Sequence, residues 1–253
     1  MPAGTQSTES VRLSVSTPVL AETEAVLREF IGGVYRLVGD ELHEVVVILS
    51  AAAPEDTVRA CRRLEAEHGR LRVVEQRENP GLGRAVRQGI FECTGSHILI
   101  IDSDGEMDVE TVPTMLRALK ERDLDLVVAS RWMEGGGIEG YDTLKYYLNI
   151  LYHRLFGFLY GTPISDLTLG FKLGRADMLQ SFEYHGVFHE IGCETTLRPI
   201  RAGYRVGQVP TVWRKRKEGA SSNTFWMNLR YVAMALSIFW GGANEQRQPE
   251  EAT

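Results

Sequence analysis

The feature that most restricts what this chain can fold into is the run His97-Ile98-Leu99-Ile100-Ile101-Asp102-Ser103-Asp104-Gly105-Glu106, in which a short apolar segment stops at carboxylates. A continuous apolar run of that length bounded by acids and a glycine reads as a buried central strand whose C-terminal edge opens into a turn. In open α/β sheets that edge is where ligands bind. Asp102 and Asp104 lie two apart, so both carboxylates can face one crevice. Hard oxygen ligands there suit Mg²⁺ or Mn²⁺ held jointly with substrate phosphates. Glu106 is the candidate third oxygen ligand. Taken alone, the same pair also reads as a solvated turn or a helix cap.

The surrounding pattern favours a sheet. Val11 to Ser16 reads as a first strand stopped by Pro18, followed by a helical segment from about Ala21 to Val38. Glu44 to Leu49 and Leu71 to Val74 read as further strands, with a helix beginning near Pro54 between them. Asn79-Pro80-Gly81-Leu82-Gly83 is a turn leading into a helix that directs Ala85, Val86 and Ile90 inward. After the central strand come a helix from Val112 to Arg122 and a strand ending at Ser130-Arg131. Alternating strands and helices predict an α/β fold: a mostly parallel sheet flanked by helices with right-handed crossovers.

The second half differs. Gly135-Gly136-Gly137 reads as a loop able to move over a ligand. From Leu144 to Tyr160 the chain is rich in Tyr, Leu and Phe, with Lys145, Asn149 and His153 four apart on one face. That spacing predicts an amphipathic helix, either packed on the sheet or lying at a lipid surface. Asp166 to Lys172 reads as a turn before a short helix, His189 to Arg201 as a helix, and Tyr204 to Val209 as a last strand. Phe225 to Trp240 is apolar nearly all round and either caps the core or meets a bilayer. Residues 1–10 read as a disordered leader and 243–253 as a disordered tail.

Charged residues make up 25% of the 253 and the net charge is −6, which gives no argument for a nucleic-acid partner. Cys61, Cys93 and Cys193 are widely spaced and odd in number, as buried thiols of a cytoplasmic protein would be. No uncharged apolar run reaches the eighteen residues of a spanning helix, so any membrane contact is expected to be peripheral, at the inner face.

These motifs together resemble glycosyltransferase family 2, with its GT-A fold, and most closely its polyprenyl-phosphate sugar transferases. The resemblance spans about residues 11–222, leaving 223–242 as a C-terminal apolar helix. It rests on six segments in the family's order: Asn79 to Ala85, Asp102-Ser103-Asp104, Ser130-Arg131-Trp132, Asp166 to Lys172, Arg201 to Tyr204 with Val209-Pro210, and Trp213 to Ser221. It implies an inverting, metal-dependent transfer from a UDP- or GDP-sugar to a polyprenyl phosphate or a soluble small molecule. A non-catalytic homologue that binds nucleotide sugars is the other reading.

The resemblance also implies roles. Asp102, Asp104 and Glu106 would hold the Mg²⁺ or Mn²⁺, and Arg131 and Arg216 would stabilise the departing diphosphate. Glu194 aligns with the acid facing the acceptor, with Glu190 on the same helical face and Asp166 as a further candidate or a turn cap. Pro18, Glu22, Ser50, Gly81, Gly83, Asp102, Ser103, Arg131, Arg214, Arg216 and Ser221 form the expected donor-binding set. Three departures stand out. Leu49-Ser50-Ala51-Ala52 replaces the family's Asp-Asp-x-Ser, so no carboxylate is offered to the nucleobase. Of the family's Pro-x-Tyr-Asn-Glu only Pro18 and Glu22 remain, and Ser222 stands where a Lys is common.

Overall fold

The computed structural model describes residues 10–140, 143–215 and 225–241, and only the backbone of 144, 145 and 225–228. The expected tail, and all of the expected leader except Ser10, lie outside these residues.

A seven-stranded sheet in the order β3-β2-β1-β4-β7-β5-β8 forms the centre. Its strands are β1 (Leu13–Val19), β2 (Leu42–Leu49), β3 (Leu71–Glu75), β4 (His97–Ile100), β5 (Leu126–Ser130), β7 (Lys172–Arg175) and β8 (Val206–Pro210). All neighbours pair in parallel except β7, which is antiparallel to both β4 and β5. The mostly parallel α/β sheet expected from the sequence is therefore present.

The alternating pleat divides the core. Val45, Val47 and Leu49 pack on α1 (Glu24–Val38), α2 (Glu55–Glu67) and α4 (Val112–Glu121), while Val46 and Ile48 face the other side. There they meet α3 (Leu82–Glu92), α6 (Ala176–Gln180) and the start of α7 (Ile191–Arg201). A third cluster, with Phe156, Leu167, Cys193, Leu197, Ala235 and Ile238, joins α5 (Thr143–Tyr160) and α8 (Phe225–Gly241) to α7. All three cysteines are buried free thiols.

Three local expectations are corrected. The first strand runs through Pro18 to Val19 instead of stopping. Ser16 accepts from the Ile101 N–H on the β4 side, and two residues later Pro18 faces the same side where β4 has ended, so its missing N–H breaks no ladder bond. Lys172 to Arg175 is not the continuation of a turn but strand β7. Gly174 hides its strand character, yet a Cβ there would approach Leu126 Cδ1 to 2.8 Å. Finally, α5 is amphipathic in the opposite sense to the one expected. His153 and Phe156 are buried, whereas Tyr147, Leu148, Leu151, Leu155 and Phe158 are exposed.

A small parallel pair, β6 (Gly137–Glu139) with β9 (Val212–Arg214), stands beside the sheet edge. Part of the triglycine segment expected to be a free loop is thus held as a strand. Among the described residues no helix is long and apolar enough to cross a membrane.

Candidate active site

The chain passes from β1 to β2 and β3 on one side and then to β4 on the other, so the crevice between the C-terminal ends of β1 and β4 is a topological switch point. Asp102 emerges there, two residues beyond β4. Ser103 is fully buried and its hydroxyl has no hydrogen-bond partner. Gly105, at φ +78°, turns the chain so that the Glu106 N–H donates to Asp104 Oδ1 at 3.0 Å. Glu106 is drawn toward β9: its Oε2 accepts from Trp213 Nε1 at 3.1 Å and its carbonyl from Arg214 N at 2.9 Å. Among the described residues no group of three or more His, Cys, Asp or Glu is gathered around a metal position. Of the three expected acids, Glu106 is the one tied to β9. The donor set present, Asp102 and Asp104, fits a hard divalent ion that keeps most of its shell for phosphate and water, as Mg²⁺ commonly does.

The same edge carries a second charged group. β5 ends at Ser130, and Arg131 turns onto Asp166, with Nε to Oδ2 at 2.7 Å and Nη2 to Oδ1 at 3.0 Å. Asp166 also accepts from the backbone N–H groups of Arg131, Thr168 and Leu169. Burial alone would raise its pKa, but the Arg131 charge and these hydrogen bonds hold the carboxyl well below the ordinary range. Asp166 thus acts as a turn cap and an anchor for the guanidinium.

Lys172 lies beneath both groups. It pairs in register with Ile100 of β4 and Val128 of β5 and is completely buried. Its Nζ donates to the carbonyls of Leu169 and Gly192. Burial pulls its pKa down to about 7, against the raising influence of Asp166, Cys193 and Asp102, while Arg131 adds to the lowering. Lys172 therefore stands within electrostatic reach of Asp102, Asp166 and Arg131.

The acids expected on the acceptor side are bound within the structure. Glu194, fully buried, accepts from His185 N, from Gly186 N at 2.7 Å and from Arg198 Nε at 2.8 Å. Glu190 precedes α7 and accepts from Val187 N and Phe188 N, with Arg230 of α8 at 3.7 Å. Both carboxylates hold the 185–188 segment, against which the glycine turn is pressed. Gly83 N donates to Val187 O at 2.9 Å, and a Cβ at Gly81 or Gly83 would come within 2.3 Å of Val187 O or 2.4 Å of Gly186 O. These two glycines permit close backbone packing.

The other expected donor contacts are spread around the crevice. Pro18 lines the end of β1. Glu22 closes its own loop by accepting from Leu20 N and Ala21 N. The Ser50 hydroxyl donates to Asn79 Oδ1, tying the β2 exit to the glycine turn. Arg214 pairs with Asp108 at 3.2 Å and Glu139 at 3.5 Å. Arg216 and Ser221 lie outside the described residues.

His153 was expected on a polar face. It is instead buried against Trp132 with ring centroids 5.5 Å apart. Burial lowers its pKa to about 4, although the Asp166 charge opposes this and Arg131 reinforces it. Its helical spacing with Lys145 and Asn149 concealed this position, because the exposed stripe of α5 is the apolar one.

A mostly parallel sheet with acids at its switch point and an Arg–Asp pair on the same edge is the arrangement of an α/β ligand-binding enzyme fold. Its fold matches that of glucosyl-3-phosphoglycerate synthase from Mycobacterium tuberculosis, solved with Mn²⁺, UDP-glucose and phosphoglyceric acid. The TM-score is 0.69 at 18% identity, over 90% of this chain and 79% of that one. The same enzyme solved with UDP gives 0.67 over 90% and 79%. The chain belongs to glycosyl transferase family 2, whose profile matches residues 14–182, and is a glycosyltransferase.

Relatives include an undecaprenyl-phosphate mannosyltransferase of Micrococcus luteus, 27% identical over 185 residues, 70% of this chain and 74% of the relative. A polyprenol monophosphomannose synthase of Mycolicibacterium smegmatis is 26% identical over 204 residues, 78% and 76% of the two chains. A dodecaprenyl-phosphate galacturonate synthase of Rhizobium johnstonii is 23% identical over 234 residues, 92% and 68%. The sequence resemblance to the polyprenyl-phosphate branch is thereby borne out.

Proposed function

We propose that this chain transfers a sugar from a UDP- or GDP-sugar directly to a polyprenyl phosphate at a membrane face, with inversion and without a covalent intermediate. The observation that carries this reading is the state of the acceptor-side acids. Asp166, Glu190 and Glu194 are all buried and occupied by N–H donors. A hydroxyl acceptor calls for a general base within reach of its proton, and these three were the carboxylates expected to serve. A phosphate monoester is already anionic at neutral pH and needs none. The names of the three relatives, each a polyprenyl- or polyprenol-phosphate sugar transferase, agree with this choice.

Asp102 and Asp104 would hold Mg²⁺ or Mn²⁺ together with the donor diphosphate; the ion supplies charge stabilisation for the departing nucleotide. Asp166 orients Arg131, and Arg216 follows from the motif as a second guanidinium. Ser50 stands where the family presents a carboxylate to the base, so base discrimination is expected to be weaker than a carboxylate provides. At the surface, α5 and α8 contain no acidic residue in a chain of net charge −6, and α5 exposes Leu151, Leu155 and Phe158. An apolar, acid-free face suits peripheral contact with anionic lipid.

The test is transfer of labelled sugar from a panel of UDP- and GDP-sugars, with Mn²⁺ or Mg²⁺, to a short-chain prenyl phosphate and to the matching prenol. Transfer to the phosphate alone is expected. Preference for the prenol, or for soluble alcohols, would overturn the reading.

A further inference from the structure

Nearly all buried N–H donors in folded proteins have an acceptor, so two adjacent ones without any call for a cause. Trp132 Nε1 and His153 Nε2 are two such donors, on rings whose centroids lie 5.5 Å apart. His153 Nδ1 accepts the Leu167 N–H at 3.2 Å, which assigns the proton of the neutral ring to Nε2. That nitrogen is 3.8 Å from Asp166 Oδ1, beyond hydrogen-bond reach. The oxygen is already taken by Arg131 Nη2 and the N–H groups of Thr168 and Leu169. Only 5% of the His153 side chain is exposed, so bulk water does not satisfy it.

We infer that Trp132 Nε1–H and His153 Nε2–H form a binding subsite for an unprotonated oxygen of the acceptor phosphate, an assignment that rests on the acceptor reading above. Two donors beside an Asp166 oxygen already filled by N–H groups select an oxygen that carries no proton, as on a phosphate, over a hydroxyl that must also donate. Both groups are neutral, and Arg131 and Asp166 beside them compensate each other's charge. The subsite therefore adds direction to binding without adding net charge.

Its position matches an amphiphilic ligand. Trp132 follows Arg131 at the exit of β5, and Tyr146 of α5 leans on the Trp132 ring at 5.1 Å between centroids. His153, two turns on from Tyr146, is an inward residue of the helix whose outward side chains include Tyr147, Leu151 and Leu155. A phosphate oxygen reaching the N–H edges of these two packed rings would leave its chain near that apolar surface.

The test separates this subsite from the proposed reaction. Trp132→Phe deletes the indole N–H and keeps an aromatic ring. His153→Asn retains an acceptor near Nδ1 and loses the outer donor, whereas His153→Gln places an amide N–H near the Nε2 position. In steady-state transfer, Trp132→Phe and His153→Asn should each raise KM for prenyl phosphate by roughly threefold to tenfold, the loss of one hydrogen bond, without a matching rise in donor KM. His153→Gln should recover most of that loss.

Independently of turnover, the indole ¹H–¹⁵N peak that disappears in Trp132→Phe should shift when a short-chain prenyl phosphate is titrated into the wild-type protein. A shifting peak in an enzyme that fails to glycosylate prenyl phosphate would keep the subsite and sink the proposed reaction. An unmoved peak, or unchanged acceptor KM in both deletions, would mean that the two donors face a buried water only and would overturn the inference.

Discussion

Glu194→Gln distinguishes a buried tether from a general base. The carboxylate is fully buried and accepts from two consecutive backbone N–H groups and from Arg198, itself only 6% exposed. Glutamine is nearly isosteric but offers one acceptor oxygen instead of two, turns an N–H₂ toward donors, and removes the negative member of the buried Glu194–Arg198 pair. Breaking one side of a buried ion pair costs about 3 kcal/mol or more. At about 2 °C per kcal/mol for a chain of this length, Tm should fall by about 6 °C.

The 185–188 segment held by Glu194 supports Gly81 and Gly83, so donor KM should rise with the loss of stability. Thermal unfolding followed by circular dichroism, paired with transfer rates per folded molecule, measures both effects. An unchanged Tm with kcat reduced on the order of a hundredfold or more, the signature of a lost general base, would refute the tether assignment.

Asp104→Ala should abolish transfer and metal-dependent donor binding while leaving the circular dichroism spectrum intact; near-normal turnover would remove Asp104 from the ion site. Arg216→Ala should slow transfer far more than Lys217→Ala, and equal losses in the two rates would reduce the segment to general surface charge. Stability should also fall in mild acid. The pKa of His153 is lowered by burial from 6.5 to about 4, so below pH 6.5 the unfolded chain takes up the proton first. Folding stability should then decline by about 3 kcal/mol between pH 6.5 and pH 4. Asp166, whose pKa is depressed, adds its own loss only further into acid. Urea unfolding across this range should show a shallower decline in His153→Gln, and an identical slope would contradict the neutral buried imidazole.

The alternation of apolar runs and helical spacing was enough to establish the parallel sheet, because period-two and period-3.6 patterns are set by local backbone geometry. The abrupt change from Ile101 to Asp102 marked the C-terminal edge of the sheet, because a buried apolar run gives way to carboxylates where the strand leaves the core. Other features depended on partners distant in the chain. Strand β7 takes its place because Gly174 fits against Leu126, and nothing within Lys172–Arg175 announces that contact. Glu194 and Asp166 carried the residue types of catalytic acids, yet Arg198, Arg131 and surrounding backbone amides make them buried anchors.

The orientation of α5 shows the division most clearly. Its sequence contains both a polar stripe and an apolar one, and helical periodicity gives their angular separation but not which of them turns inward. Packing against Trp132 and α7 draws His153 inside and leaves Leu151, Leu155 and Phe158 outside. Most of the elements, and where the acids emerge, were thus written in the chain itself. Which charges face a ligand and which face each other was settled only when residues far apart in sequence competed for the same hydrogen bonds.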